Sequence, residues 1–84
     1  MEYRLKRTIY TKVGNRWIYS CEWYDPLNIY ANLSTDLTAK KLRCCTWIKS
    51  IKYMTFYNGW HKITVYYDNK TKCEYILPDN IYDL

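Results

Sequence analysis

The side chains of this chain that could do chemistry are mostly aromatic rings interspersed with cations. Its 84 residues include eleven tyrosines and four tryptophans but one phenylalanine, and the formal net charge is +5. Tyr and Trp combine an apolar body with a polar tip, so they stack on bases and anchor protein interfaces, while lysines bind phosphates. The composition therefore predicts a surface for an anionic partner, although this charge would also serve solubility alone.

We expect these rings and cations to collect on the outward faces of antiparallel strands, because successive strand residues point to opposite sides of a sheet. The residues expected to bind nucleic acid or a nucleoprotein complex are Lys6, Tyr10, Lys12, Trp17, Tyr19, Trp23, Tyr53, Tyr57, Trp60, Lys62 and Tyr66. The competing interpretation is that several of these rings fill the core. Leu, Ile, Val and Phe make up only 18 of the 84 residues, so some rings have to be buried for the chain to fold.

The first hairpin is predicted from Gly14-Asn15, which separates two alternating runs and indicates a two-residue turn. With that loop length, Arg7 faces Glu22 and Thr11 faces Ile18. The opposite charges of Arg7 and Glu22 favour this register. A slip of one residue would move the rings of the second strand to the other face.

A second hairpin is predicted at Asn58-Gly59, the strongest turn signal in the chain, and it places Phe56 opposite His61. A third turn lies within 68–72. An even loop there would bury Glu74 in the core, which is costly, so we expect a loop of three or five residues.

The predicted helix begins at Ser34-Thr35-Asp36, where a hydroxyl cap precedes an acid, and runs to about Ser50. Asp25-Pro26 indicates a turn, and residues 28–33 a short optional strand. The order is β-β-(β)-α-β-β-β, which predicts an α+β fold: a small antiparallel sheet of five or six strands with one helix packed on one face. One helix cannot cover so many strands, so part of the sheet should stay open.

No catalytic signature, metal-binding motif or cofactor-binding loop is present, and we expect no enzyme and no cofactor. Cys21, Cys44, Cys45 and Cys73 lack Cys-x-x-Cys spacing, so structural free thiols are favoured over zinc. Disulfides remain open if the source is a hyperthermophilic archaeon or its virus. His61 has no Ser or Cys near it in sequence and is expected at the rim of the core.

We expect one domain over residues 1–84, with an acidic and flexible tail at 78–84. The first residues contain no apolar run typical of a signal peptide, and no apolar stretch could span a bilayer. We therefore expect a cytoplasmic protein, in the host cytoplasm if the chain is viral, with no membrane partner.

Residues 8–20, followed by 37–42, resemble the arm-type DNA-binding module of tyrosine recombinases, which is a small sheet followed by a helix that reads DNA with the sheet. The resemblance covers about residues 8–50, and the glycine-bearing turn of that family before its helix is absent here. No residue role is carried over. In size and composition the chain also resembles accessory proteins of phages and archaeal viruses, which implies a host-takeover or anti-defence role.

The preferred hypothesis is a non-catalytic protein that binds nucleic acid or a nucleoprotein. The alternative is a protein-only inhibitor or assembly module whose aromatic faces contact a host protein or a second copy of the chain. A third hypothesis is a protein that sequesters small nucleotides between its rings. Salt separates the first two, because phosphate binding weakens steeply with ionic strength and an aromatic protein interface does not.

Overall fold

Five strands and one helix make up the computed structural model, which describes residues 4–41, 47–56 and 59–78. The elements are β1 Lys6–Val13, β2 Arg16–Trp23, α1 Pro26–Lys41, β3 Ser50–Thr55, β4 Trp60–Tyr66 and β5 Thr71–Pro78. The strands form one antiparallel sheet in the order β2-β1-β5-β4-β3, which confirms the α+β fold. No helix in the described ranges is long and apolar enough to cross a membrane. Beyond Pro78, the expected acidic tail lies outside them.

The core lies between α1 and one face of the sheet. On β5, Cys73, Tyr75 and Leu77 are fully buried, while the residues between them turn to the opposite face. Ile63 and Val65 of β4 join them, and Ile29, Leu33 and Ala39 of α1 close the core. A three-residue loop links β4 and β5, because the N–H of Tyr67 donates to the carbonyl of Thr71 at 3.0 Å. The odd loop length predicted from the cost of burying Glu74 is therefore confirmed.

The register of the first hairpin is confirmed near its turn and wrong beyond it. Thr11 pairs with Ile18 as expected, and Gly14 has the positive φ (63°) that such a turn requires. A bulge at Ser20 then shifts the strands by one residue, so Arg7 faces Trp23 instead of Glu22. The shift turns Trp23 to the helix side of the sheet, which corrects its expected place among the outward rings. There the Arg7 guanidinium lies 4.4 Å from the centre of a Trp23 ring.

The second hairpin has a longer loop than the sequence predicted. Thr55 pairs with His61, and the N–H of Phe56 donates to the carbonyl of Trp60 at 2.8 Å, so three residues separate that pair. Gly59 adopts φ 80°, as glycine does in such loops. The change of one residue puts Tyr53 opposite Ile63 on the helix side, where it is 66% exposed at the edge strand. Its expected outward position was wrong.

Helix α1 begins eight residues before the predicted start, and it replaces the optional strand at 28–33. Asp25 caps it: the Asp25 carboxylate accepts from the N–H of Leu27 at 3.3 Å, and Pro26 occupies the first helical position. Asp-Pro was interpreted as a turn, but the same pair is a helix start. Asp36, expected in the first turn, is instead buried inside the helix. The predicted continuation of the helix over 42–46 lies outside the described residues, and over 47–50 it was wrong, because Ser50 begins β3.

Candidate functional site

The face of the sheet turned away from α1, called here the open face, collects most of the expected residues. Eight of the eleven lie on it: Lys6, Tyr10, Lys12, Trp17, Tyr19, Trp60, Lys62 and Tyr66. Trp23 and Tyr53 lie on the helix side, and Tyr57 is outside the described residues. Lys52 and Lys72 also belong to the open face, although neither was among the expected site residues.

Lys72 organises the centre of the open face. Its ammonium group lies 4.7 Å from the centre of a Trp17 ring, 5.1 Å from the Tyr10 ring and 6.0 Å from the Tyr66 ring. It also pairs with the Glu74 carboxylate at 3.3 Å, and its side chain is mostly buried. Cation–π contacts of this kind are worth about 0.5–2 kcal/mol each, more when water is excluded. Lys72 therefore holds the three rings in place from the sheet side.

A cleft of about 320 Å³ opens beside these rings, at the end of the sheet that carries the Gly14 turn and the β4–β5 loop. Three lysines and two rings line it: Lys12, Lys49, Lys52, Trp17 and Tyr66. Ser50, Asp68 and Asn69 complete the lining. The end of β1 and the starts of β2 and β3 meet at this end of the sheet, so cations that are distant in sequence become neighbours.

Hydrogen bonds fix the walls of the cleft. The N–H of Lys49 donates to the carbonyl of Tyr66, and the N–H of Lys12 donates to the carbonyl of Lys70, both at 2.7 Å. The Asp68 carboxylate accepts from the N–H of Lys70 at 2.7 Å, which closes the loop on itself. The Lys49 ammonium donates to the side-chain oxygen of Asn69. The lining residues are thus positioned by backbone contacts and not by side-chain packing alone.

Positive charge is concentrated in the cleft because lysines elsewhere on the open face are paired. Lys6 lies 4.0 Å from Glu22, and Lys62 lies 3.8 Å from Glu74. Within the described part of the chain, no carboxylate comes within ion-pair distance of Lys12 or Lys52, whose ammonium groups lie 5.7 Å and 5.4 Å from the centres of a Trp17 ring and of the Tyr66 ring. A concave site lined by one sign of charge attracts a counter-charged ligand.

The titratable groups with the largest pKa shifts lie in the core and not in the cleft. Burial raises the pKa of Tyr75 and of Tyr67 far above its usual value, and the hydrogen bonds that both phenols donate to Asp36 add to the shift. Burial also raises the pKa of the Cys73 thiol to about 11. Cys21 and Cys73 are free thiols, and nowhere in the described ranges do three His, Cys, Asp or Glu side chains form a metal site. Cys44 and Cys45 lie outside those ranges.

These core groups predict a loss of stability at alkaline pH. A group whose pKa is raised by folding stabilises the fold fully below its unfolded pKa, about 8.5–9 for Cys and 10 for Tyr, and this contribution is lost as pH rises. The free energy of unfolding should be constant from pH 7 to 8 and then fall, through pH 9–11 for Cys73 and above pH 10 for the two tyrosines. Each group contributes up to about 1.4 kcal/mol per pH unit.

Urea unfolding at half-unit pH steps measures this fall. Tyr67→Phe is the matched control, because it removes one ionisable phenol and should make the decline above pH 10 shallower. A free energy of unfolding that stays constant to pH 10.5 would contradict the assignment of these groups to a dry core.

Comparison of the chain with models of protein families, with curated proteins and with solved structures finds no match in any of the three. The functional inference is therefore based on the geometry of the open face. Lys49 and Lys52 were missed as site residues because the helix was predicted to extend to Ser50. Lys52 shares a face of β3 with Met54, and this face is turned away from α1 because the second hairpin's loop is one residue longer than predicted.

Proposed function

We propose that this protein binds nucleic acid without catalysis, through the basic aromatic cleft and the adjoining open face. The observation that supports this most directly is that three lysines and two rings line one cleft, while Lys12 and Lys52 have no carboxylate partner among the described residues. Lysines in such a site neutralise phosphates, and the aromatic rings beside them offer stacking surfaces to bases.

The distribution of acids on the open face supports a contact centred on the cleft. Glu22 pairs with Lys6, and Glu74 pairs with both Lys62 and Lys72, three lysines outside the cleft lining. A phosphate that approaches any of these three lysines would have to compete with an existing ion pair. At the cleft, Asp68 is the acid among the lining residues, and its carboxylate already accepts one backbone hydrogen bond.

Binding without turnover also fits the accessory role that the resemblance implies. Small accessory proteins of phages and archaeal viruses, which the chain resembles in size and composition, can act by occupying a surface. We therefore retain the proposal of a host-takeover or anti-defence protein that acts by blocking a nucleic acid or a nucleoprotein.

Salt dependence tests the proposed function. Fluorescence anisotropy of a labelled 20-nucleotide single strand, and of the duplex of the same sequence, would be measured at 50 and 200 mM salt. Three lysine–phosphate contacts give a slope in log K against log salt of about −2.1 for the single strand and about −2.7 for the duplex, which are losses of affinity of about 20-fold and about 40-fold over this range. Absence of binding to both probes at 50 mM salt would overturn the proposal.

The alternative function is binding to a protein. The edges of the sheet show whether one form of it, a dimer joined edge to edge, is favoured. Both edge strands carry features that discourage pairing with another sheet: the bulge at Ser20 in β2, and the exposed Lys52 in the middle of β3. A dimer formed by joining sheet edges is therefore disfavoured. A salt-independent complex with a protein partner, together with no binding to either probe, would support the alternative.

A further inference from the structure

We infer that the cleft holds one unpaired nucleotide, so that the protein selects single-stranded over duplex nucleic acid; this inference depends on the proposed function. The geometry of the two rings is the first argument. Trp17 and Tyr66 meet edge to face, with ring centres 6.2 Å apart and planes at 63°. Both line the cleft, whereas Lys72, which lies over both rings, does not. The rings therefore form a supported corner that a planar group can enter.

The polar lining is the second argument, because it suits a nucleoside better than a bare phosphate. Asp68 would repel a free phosphate that sits among the lysines, yet its carboxylate can accept hydrogen bonds from a base or a ribose hydroxyl. One Asp68 oxygen already accepts from the N–H of Lys70, which leaves the other available. Asn69 accepts from Lys49 through its side-chain oxygen, so its NH₂ group is the part that can donate to a ligand.

Base pairing decides between the two forms of nucleic acid. In a duplex each base is stacked between two neighbours, so the rings of the cleft cannot stack on its face. Its pairing edge is hydrogen-bonded to the opposite strand, so Asp68 and Asn69 cannot reach that edge. In a single strand one base can turn out of the stack onto the rings while its flanking phosphates stay near Lys12, Lys49 and Lys52. An unpaired nucleotide can use all three features of the cleft: the rings, the Asp68 and Asn69 side chains that can bond to a base edge, and the lysines.

The experiment compares three labelled probes with equal numbers of phosphates per strand: a 12-nucleotide single strand, its blunt duplex, and the same single strand with stable abasic sites at every second position. Wild-type protein at 50 mM salt should bind the intact single strand about 10-fold more tightly than the abasic strand, since stacking on one ring is worth about 5- to 150-fold in affinity. It should also prefer the single strand to the duplex by about 10-fold or more.

Variants test whether the preference for the intact single strand depends on the cleft. Trp17→Leu should lower the affinity for the intact strand by about 10-fold and leave binding to the abasic strand unchanged, and Trp17→Phe should restore much of the loss. Tyr53→Leu is the matched control, because Tyr53 is an exposed ring on the helix side of β3, off the open face, and does not line the cleft.

The outcomes separate the inference from the proposed function. Equal, salt-dependent binding of wild-type protein to all three probes would overturn the inference and leave the proposed function intact. A loss in Tyr53→Leu as large as in Trp17→Leu would also overturn it. No binding to any probe would remove both. If Trp17→Leu fails to fold, the comparison of intact and abasic strands on wild-type protein still decides the question.

Discussion

Replacing Asp36 with alanine should destabilise the fold by about 2–5 kcal/mol, a large part of the 5–15 kcal/mol typical of small domains. The same carboxylate oxygen accepts hydrogen bonds from the phenols of Tyr67 and Tyr75, at 2.7 Å and 2.6 Å. Tyr75 is fully buried and Asp36 nearly so. Without the carboxylate, the buried hydroxyl of Tyr75 and the half-buried hydroxyl of Tyr67 lose their acceptor, and an unsatisfied buried group costs about 1–3 kcal/mol. Urea unfolding followed by circular dichroism measures the loss.

Two variants separate the hydrogen bonds from the packing of this site. Asp36→Asn keeps an acceptor of the same shape and should lose less than Asp36→Ala. The triple variant Asp36→Leu, Tyr67→Phe, Tyr75→Phe removes all the polar groups together, and it should recover much of the stability, because an apolar cluster of similar volume avoids the cost of unpaired groups. A loss below about 1 kcal/mol in Asp36→Ala would show that the network contributes little.

The position of Asp36 shows where sequence reasoning about α1 failed. An acid after Ser34-Thr35 is typical of a helix N-terminus, so the residue was interpreted as part of a cap. In the structure it occupies the buried stripe of α1 with Ile29 and Leu33, at helical spacing. A carboxylate on a buried face becomes favourable only when its partners are known. Tyr67 and Tyr75 come from a different part of the chain, and their hydroxyl groups could not be placed without the fold.

Strand alternation, by contrast, was enough to predict β4, β5 and the loop between them. Burying Glu74 would cost more than any gain from a different loop length, so only an odd loop is compatible with the apolar residues. The hairpins were less determined. The bulge at Ser20 has no glycine or other signal in the sequence, and Asn-Gly also occurs in loops longer than two residues. Each shift of one residue moved a ring from the predicted open face to the helix side of the sheet: Trp23 in the first hairpin and Tyr53 in the second.

The cleft was the least predictable part of the site. Trp17, Lys12 and Tyr66 were among the expected binding residues, since they lie on strands whose alternation of apolar and polar residues is clear in the sequence. Lys49 precedes β3, and Asn69 belongs to the β4–β5 loop. Only the pairing of β3 with β4 brings these two side chains together, and strand pairing over that distance is a property of the whole sheet.

Removing the charges of Lys12 and Lys52 should weaken the proposed binding to a single strand by about 15-fold at 150 mM salt, because two phosphate contacts contribute a salt slope of about 1.4. The variant is Lys12→Gln with Lys52→Gln, which keeps the length and most of the apolar stem of each side chain. Its salt slope should fall by the same amount. Anisotropy titrations of a labelled single strand at four salt concentrations measure both quantities.

Lys40→Gln with Lys41→Gln is the control, since it removes the same net charge from exposed residues at the C-terminus of α1 that do not line the cleft. If binding depends on the lysines that line the cleft, this pair should change affinity by about threefold or less, because neither residue lines the cleft and salt screens the interaction of exposed charges through solvent. Equal losses in the two double variants would mean that total charge, and not the arrangement of lysines around Trp17 and Tyr66, attracts the ligand.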